Sequence, residues 1–333
     1  MNHVMLKQNA LVNLLRCIFM QRFVTFLFLF YGAIFFQLSC FANCKKVRFS
    51  NIGWTDISAS TAVASEILTV LGYEPKSTIL SIPMTYASLK NKDIDVFLGN
   101  WMPSMSADIK PYLAQGTVET IGTVLKGAKY TLAVPSYVYD AGVKTFNDLT
   151  KFKEKFNGKI YGIEAGNDGN RIIQKMIQSN AFNLSSWKLI ESSEQAMLME
   201  VIQAVKRNKW IVYLGWEPHT MNKLINMKYL DGGDNFFGPH EGESVVYINS
   251  RRNFSKECPE LAKFFRQFHL SINDEQNIMS LILDKKMSPN AAAKIWIKSN
   301  YDKVKPWLNE IKSVDNKELN FDEFQKKYAA LNP

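Results

Sequence analysis

Residues 46–98 read KVRFSNIGWTDISASTAVASEILTVLGYEPKSTILSIPMTYASLKNKDIDVFL, and their periodicity decides the class of fold. Lys46 to Phe49 alternates as a strand, Thr61 to Leu71 carries helical spacing, and Ser77 to Ile82 reads as a second strand. A short helix over Tyr86 to Lys90 and a strand over Ile94 to Leu98 complete a βαβαβ series. A second series follows: a strand over Tyr130 to Val134, a helical FNDLTKF, a strand over Lys159 to Ile163 and a helix from Asn170. A strand near Trp187 to Ile190, a helix opened by a capping box from Ser192 to Gln195, and a strand over Trp210 to Leu214 end it. Strand-like ESVVYINS and a helical tail come last. Alternating strands and helices of this kind specify an α/β protein of two units, the chain returning to the first after finishing the second.

The chain has 333 residues, of which 47% are hydrophobic and 21% charged, with a net charge of +9. That composition describes a globular protein able to bury one large core or two smaller ones. Three cations (Lys7, Arg16, Arg22) and no acids precede Asn43, so the remainder carries +6. This excess is interleaved with acids along the chain, which argues against nucleic acid as a partner. Phe23 to Phe36 is an uncharged apolar run of 14 residues behind Arg22, short for a membrane span and suited to a secretory signal. Cleavage after Ala42 predicts a signal peptide over 1–42 and a periplasmic mature chain, with translation starting at Met1 or Met20. Lipidation of Cys40 is the alternative, against which Gln37 stands where an aliphatic residue is wanted. Export leaves Cys44 and Cys258 in an oxidising compartment, where a disulfide is the simple inference and two unpaired thiols the alternative. His3, His219, His240 and His269 show no metal-ligand spacing, so no metal is expected.

Four aromatics, Trp54, Trp101, Tyr130 and Trp216, stand where strand-like runs give way to turns, and so are expected to be exposed and to converge. Rings that converge make an aromatic box, whose negative faces attract a cation with no N–H to donate. Asp56, two residues beyond Trp54, would add a full charge. The stretch GIEAGNDGNR would present Asn167 and backbone donors between the two units, or else be a plain tight βα turn. Trp187, Trp210, Trp296 and Trp307 read as packing residues, Asp93 and Asp95 as solvent-facing, and Glu217 and His219 as caps of the next helix. Nucleotide, metalloprotease and serine-hydrolase signatures are absent, and no cofactor site is indicated.

From about Val47 to Leu308 the sequence resembles the substrate-binding proteins of ABC importers for glycine betaine and choline, its choline-binding members above all. The resemblance rests on GWTDISASTAVASEILTVLGY, DVFLGNWMPSM, KYTLAVP, GIEAGNDGN, YLGWEPHTMN and SPNAAAKIWIKSNYDKVKPWL. It implies a bilobal periplasmic-binding-protein fold of type II, with a hinge and a ligand cleft between two α/β lobes. Lobe 1 is then 43–128 and 229–333, and lobe 2, inserted into it, is 129–228. It also implies that Trp54, Asp56 and Trp101 from one lobe meet Tyr130, Asn167 and Trp216 from the other. Cys44 and Cys258 fall where such proteins carry a disulfide. The expected partners are choline and a membrane permease with its ATPase, the protein itself being a monomer and not an enzyme. Glycine betaine or another quaternary amine, or a sensory role for the same ligands, is the alternative. Asp56 favours choline, because a carboxylate repels the acid end of betaine but accepts from a hydroxyl.

Overall fold

The computed structural model describes residues 44–318 and 320–331, so the signal-like segment with Cys17 and Cys40 lies outside the described residues. Nine strands form one mixed sheet: β1 (Lys46–Asn51), β2 (Glu74–Ile79), β3 (Val96–Met102), β4 (Val118–Pro135), β5 (Lys159–Tyr161), β6 (Lys188–Ile190), β7 (Tyr213–Glu217), β8 (Met227–Tyr229) and β9 (Glu243–Arg251). Their order is β2-β1-β3-β9-β4-β7-β5-β6, with β8 on the far part of β4. At one end β2, β1 and β3 run parallel, and at the other β6, β5 and β7 do. Each parallel group is one βα-crossover unit, as the alternation of sequence patterns requires.

The two groups are joined through β4, which is 18 residues long. Its first two-thirds, Val118 to Lys129, pairs with β9, and its last residues, Lys129 to Pro135, pair with β7 and β8. Three register shifts interrupt the β4–β9 ladder, each bending the strand and raising its twist. These irregularities also break the alternation of side chains. Only the end of β4 is therefore legible as a strand, and the stretch before Tyr130 is not.

Among the described residues the α-helices of nine or more residues are α1 (Thr55–Val70), α2 (Ile82–Lys90), α3 (Ser106–Ala114), α4 (Asp168–Gln178), α5 (Glu194–Lys206), α6 (Pro259–Gln267), α7 (Ile272–Leu283), α8 (Pro289–Ser299) and α9 (Phe321–Leu331). In α1, thirteen of sixteen residues are buried, because the helix lies between β1 and the pair α7 and α8. A helix covered on nearly all sides needs small and apolar residues all round, which the run of Ala, Ser and Val supplies. It starts at Thr55 rather than Thr61, since Asp56 in its first turn suits the positive end of the helix dipole. The strand expected at Ser77–Ile82 lies three residues earlier, and Ser81 instead accepts from the Met84 amide as the N-cap of α2. Ser193, not Ser192, caps α5, accepting from the Ala196 amide at 3.2 Å.

Trp187, Trp296 and Trp307 are buried, the last two stacked at 6.0 Å. Trp210 is half-buried against Phe152 and Phe156. Cys44 and Cys258 are both disulfide-bonded. No helix among the described residues is long and apolar enough to cross a membrane.

Asp95 does not face solvent. It is 4% exposed and accepts from the Arg48 amide, from Arg48 Nε and Nη2, and from Arg251 Nε, all within 2.6–2.9 Å. Burial pushes its carboxyl up, but the two guanidinium groups outweigh that and hold it below the usual range. Its two partners lie on β1 and β9, so one carboxylate ties strands some two hundred residues apart. Asp95→Ala leaves the enclosed Arg251 with only the part-exposed Glu257 as an acidic partner, and the expected loss is up to about 3–5 kcal/mol of unfolding free energy in urea denaturation.

Candidate ligand-binding site

The sheet brings the four aromatics together. Trp101 ends β3, while Tyr130 on β4 and Trp216 on β7 are directly paired across adjacent strands. Trp54 is the N-cap residue of α1. Gly53 before it has φ of +87°, a conformation only glycine adopts freely, and it turns the chain out of β1 so that Trp54 reaches the others. The ring centroids of Trp101 and Tyr130 are 5.9 Å apart, and those of Tyr130 and Trp216 are 6.3 Å apart at 80°. Trp54, Trp101, Tyr130 and Trp216, with Ile163, line one small cavity with room for about one water.

The rings are not exposed, as their position beside turns predicts, but 2–5% accessible. Three of them lie within strands, and the walls have closed on one another. A quaternary ammonium group can enter a cavity of this size only if the walls part.

The two polar residues of the expected site stand behind the rings. Asp56 is buried, and its Oδ2 accepts from Trp101 Nε1 at 3.1 Å while Oδ1 has no partner. Burial, and then the charge of Glu194, push its carboxyl up to about 7. Asn167 is the N-cap of α4. Its Oδ1 accepts from the Asn170 amide at 2.9 Å and from the Tyr130 hydroxyl at 3.2 Å, and its Nδ2 donates to Asp168. The βα turn thus does need Asn167, which also fixes the tilt of Tyr130. A Cβ added at Gly169 would sit 2.1 Å from the Tyr130 hydroxyl, so that glycine lets the ring approach the helix.

Two further acids escape sequence reasoning. Glu164 Oε1 accepts from Trp54 Nε1 at 2.6 Å, and burial raises its carboxyl to about 7. Glu194, at the start of α5, accepts from the Thr55 amide at 3.0 Å and from its hydroxyl. Two of the three box indoles therefore donate N–H to a carboxylate, which leaves their faces for the ligand. Asp168, fully buried, is pushed up to about 6 chiefly by burial. Only the position of Glu164 at a strand end, beside a glycine-rich turn, hints at its place. Among the described residues no cluster of His, Cys, Asp and Glu is arranged for a metal.

A mixed α/β sheet of two parallel groups joined by long shared strands, around an aromatic cavity, defines a type II periplasmic binding protein. Residues 45–299 match the family described as the substrate-binding domain of ABC-type glycine betaine transport systems, and the chain belongs to that family. It is similar to an ABC-transporter choline-binding protein solved with choline, at 47% identity and a TM-score of 0.83, covering 87% of this chain and 99% of that one. A lactococcal protein in its closed form with glycine betaine is 30% identical, with a TM-score of 0.71, over 79% of this chain and 98% of that one. A glycine betaine/carnitine transport binding protein of Listeria monocytogenes is 31% identical over 166 residues, half of this chain and 54% of its own length. The protein is accordingly the substrate-binding component of an ABC importer of the betaine and choline class, and not an enzyme.

Raised carboxyl groups give the ligand-free protein a pH signature. An acid whose pKa is raised on folding contributes stability below its unfolded value, and that contribution is lost as pH rises through the folded value. Asp56 should therefore destabilise the empty protein as pH rises from 3.8 to about 7. Asp56→Asn should melt higher than the parent at pH 8 and level with or below it near pH 4, as read by calorimetric scans without ligand.

Proposed function

We propose that the protein binds choline in the periplasm and delivers it to a membrane permease. The observation that carries this reading is the buried Asp56 with one oxygen unpartnered beside a box of four aromatics. An unpartnered buried carboxylate oxygen is costly, and a ligand bearing both a permanent cation and a hydroxyl satisfies it. Betaine offers a second carboxylate to a site that already holds Asp56 and Glu164. The 47% identity to a protein solved with choline supports the same reading.

In this proposal Trp54, Trp101, Tyr130 and Trp216 hold the trimethylammonium head, Asp56 behind Trp101 supplies the negative charge and accepts from the hydroxyl only once the walls have parted to admit the ligand, and Asn167 acts by holding Tyr130. Each ring contributes roughly 0.5–2 kcal/mol. Micromolar affinity requires about 8 kcal/mol net. Four rings supply about 2–8 kcal/mol gross, so that affinity needs all four together with an assisting charge. Lobe 1 then comprises 43–128 and 229–333 and supplies Trp54, Asp56 and Trp101. Lobe 2, 129–228, supplies Tyr130, Asn167 and Trp216, so closure assembles the box. A disulfide between Cys44 and Cys258 would tie the mature N-terminus to lobe 1 after removal of 1–42.

Calorimetry of the mature protein should show choline binding at least tenfold tighter than glycine betaine; equal affinities would refute the choline assignment. Trp216→Ala should weaken choline at least tenfold with an unchanged circular dichroism spectrum. A cation favours the ionised form of the acids held near 7, Asp56 and Glu164. Choline affinity should hence fall as pH drops from 8 to 6, with protons released on binding near pH 7. Paired titrations in phosphate and Tris buffers detect that release as a difference in apparent enthalpy.

A further inference from the structure

Glu194 lies outside the ring-lined cavity, yet its carboxylate is the meeting point of three donors. Oε2 accepts from the Thr55 amide at 3.0 Å, and Oε1 accepts from the Thr55 hydroxyl and from His219 Nε2 at 3.2 Å. The Met221 amide donates to His219 Nδ1 at 3.0 Å, which leaves Nε2 as the ring nitrogen that donates to Glu194. Glu194 and His219 are 2% and 0% exposed, so these bonds are made in a low-dielectric interior where they are strong.

Both ends of this chain of bonds touch the box. Thr55 sits between Trp54 and Asp56, and the His219 ring packs on Trp216 at 4.8 Å between centroids. Glu194 and Thr55 are 139 residues apart, on α5 and α1, which belong to opposite ends of the sheet. Other bonds cross the same gap: Trp54 to Glu164, and Arg171 to Asp108 in a two-pronged ion pair. The first ties Trp54 to the residue after Ile163, and neither reaches Trp216.

We propose that Glu194 is a positioning residue, a clasp that holds the segment carrying Trp54 and Asp56 against the wall carrying Trp216. The clasp forms only when the two sides meet, so it acts on how long a ligand is retained rather than on how fast it arrives. A carboxylate is required, because the Thr55 amide on Oε2 and His219 Nε2 on Oε1 both donate, and a glutamine turns its own NH2 toward one of them. Charge matters as well. Glu194 raises the Asp56 carboxyl, so closing an empty box brings two acids together, while closing on a cation places a positive charge among them. The proposal rests on the reading of the cavity as the quaternary-amine site.

The test is stopped-flow tryptophan fluorescence of the mature protein with choline, and with glycine betaine in parallel, for the parent, Glu194→Gln, Thr55→Val and the double variant. Glu194→Gln should raise the dissociation rate at least tenfold with association within about threefold. The double variant should be no worse than the worse single one, because both remove the same clasp. Unchanged dissociation, or fully additive effects, would overturn the proposal. Circular dichroism and melting check folding, and if Glu194→Gln does not fold, His219→Gln with Thr55→Val tests the same bonds. A parent that binds betaine and not choline ends the choline assignment alone, since the cycle is then read on betaine. A parent that binds neither ends both.

Discussion

A cation without an N–H cannot be held by hydrogen bonds, and this constraint organises the site. Aromatic faces attract such a group while excluding water, and a nearby carboxylate adds a full charge. Four large rings must then meet at one point, and a single helix or hairpin cannot supply them. Here they come from the ends of β3, β4 and β7 and from the start of α1. The mixed sheet serves this requirement. β4 pairs with β9 along most of its length and then with β7, so the side-by-side rings of Tyr130 and Trp216 confront Trp54 and Trp101 across the crossing.

The acids stand one layer behind the rings. Asp56 accepts from Trp101 and Glu164 from Trp54, while Glu194 bonds Thr55 between them. Placed so, their charge acts across the rings and through a poorly screening interior, and the indole edges are satisfied without blocking the faces. The same arrangement makes the empty site unfavourable for ionised carboxyls, which is why burial pushes Asp56 and Glu164 up to about 7. Stability is given up around the aromatic cavity. Elsewhere in the fold the opposite solution is used: buried Asp95 is met by two arginines and has no need of a ligand.

The α/β class, two groups of parallel strands with a late return strand and the strand-end positions of the four aromatics that line the cavity were legible in the residues. Strand and helix periodicity survives wherever an element has one buried face, as in β1 with Val47 and Phe49 inside. It fails where the ladder is irregular, and the first two-thirds of β4 were unreadable because three register shifts scramble its alternation. Boundaries moved at Thr55, where Asp56 suits the first turn of the helix, and at Ser193, whose side chain caps the next one. Asp95 looked like a surface acid because its neighbours in sequence, Asp93 and Lys92, are polar, while the arginines that bury it lie 47 and 156 residues away.

The sequence by itself determined which groups could attract a quaternary cation, since ring chemistry and strand-end position are local properties. Only the tertiary structure decided how those groups are used. It closed the rings into a small cavity, moved Asp56 and Asn167 behind Trp101 and Tyr130, and brought in Glu164, Glu194 and His219. The reason is physical. What an acid does depends on which donors face it and how little water remains, and for these residues both are set by segments 110 and 139 residues distant.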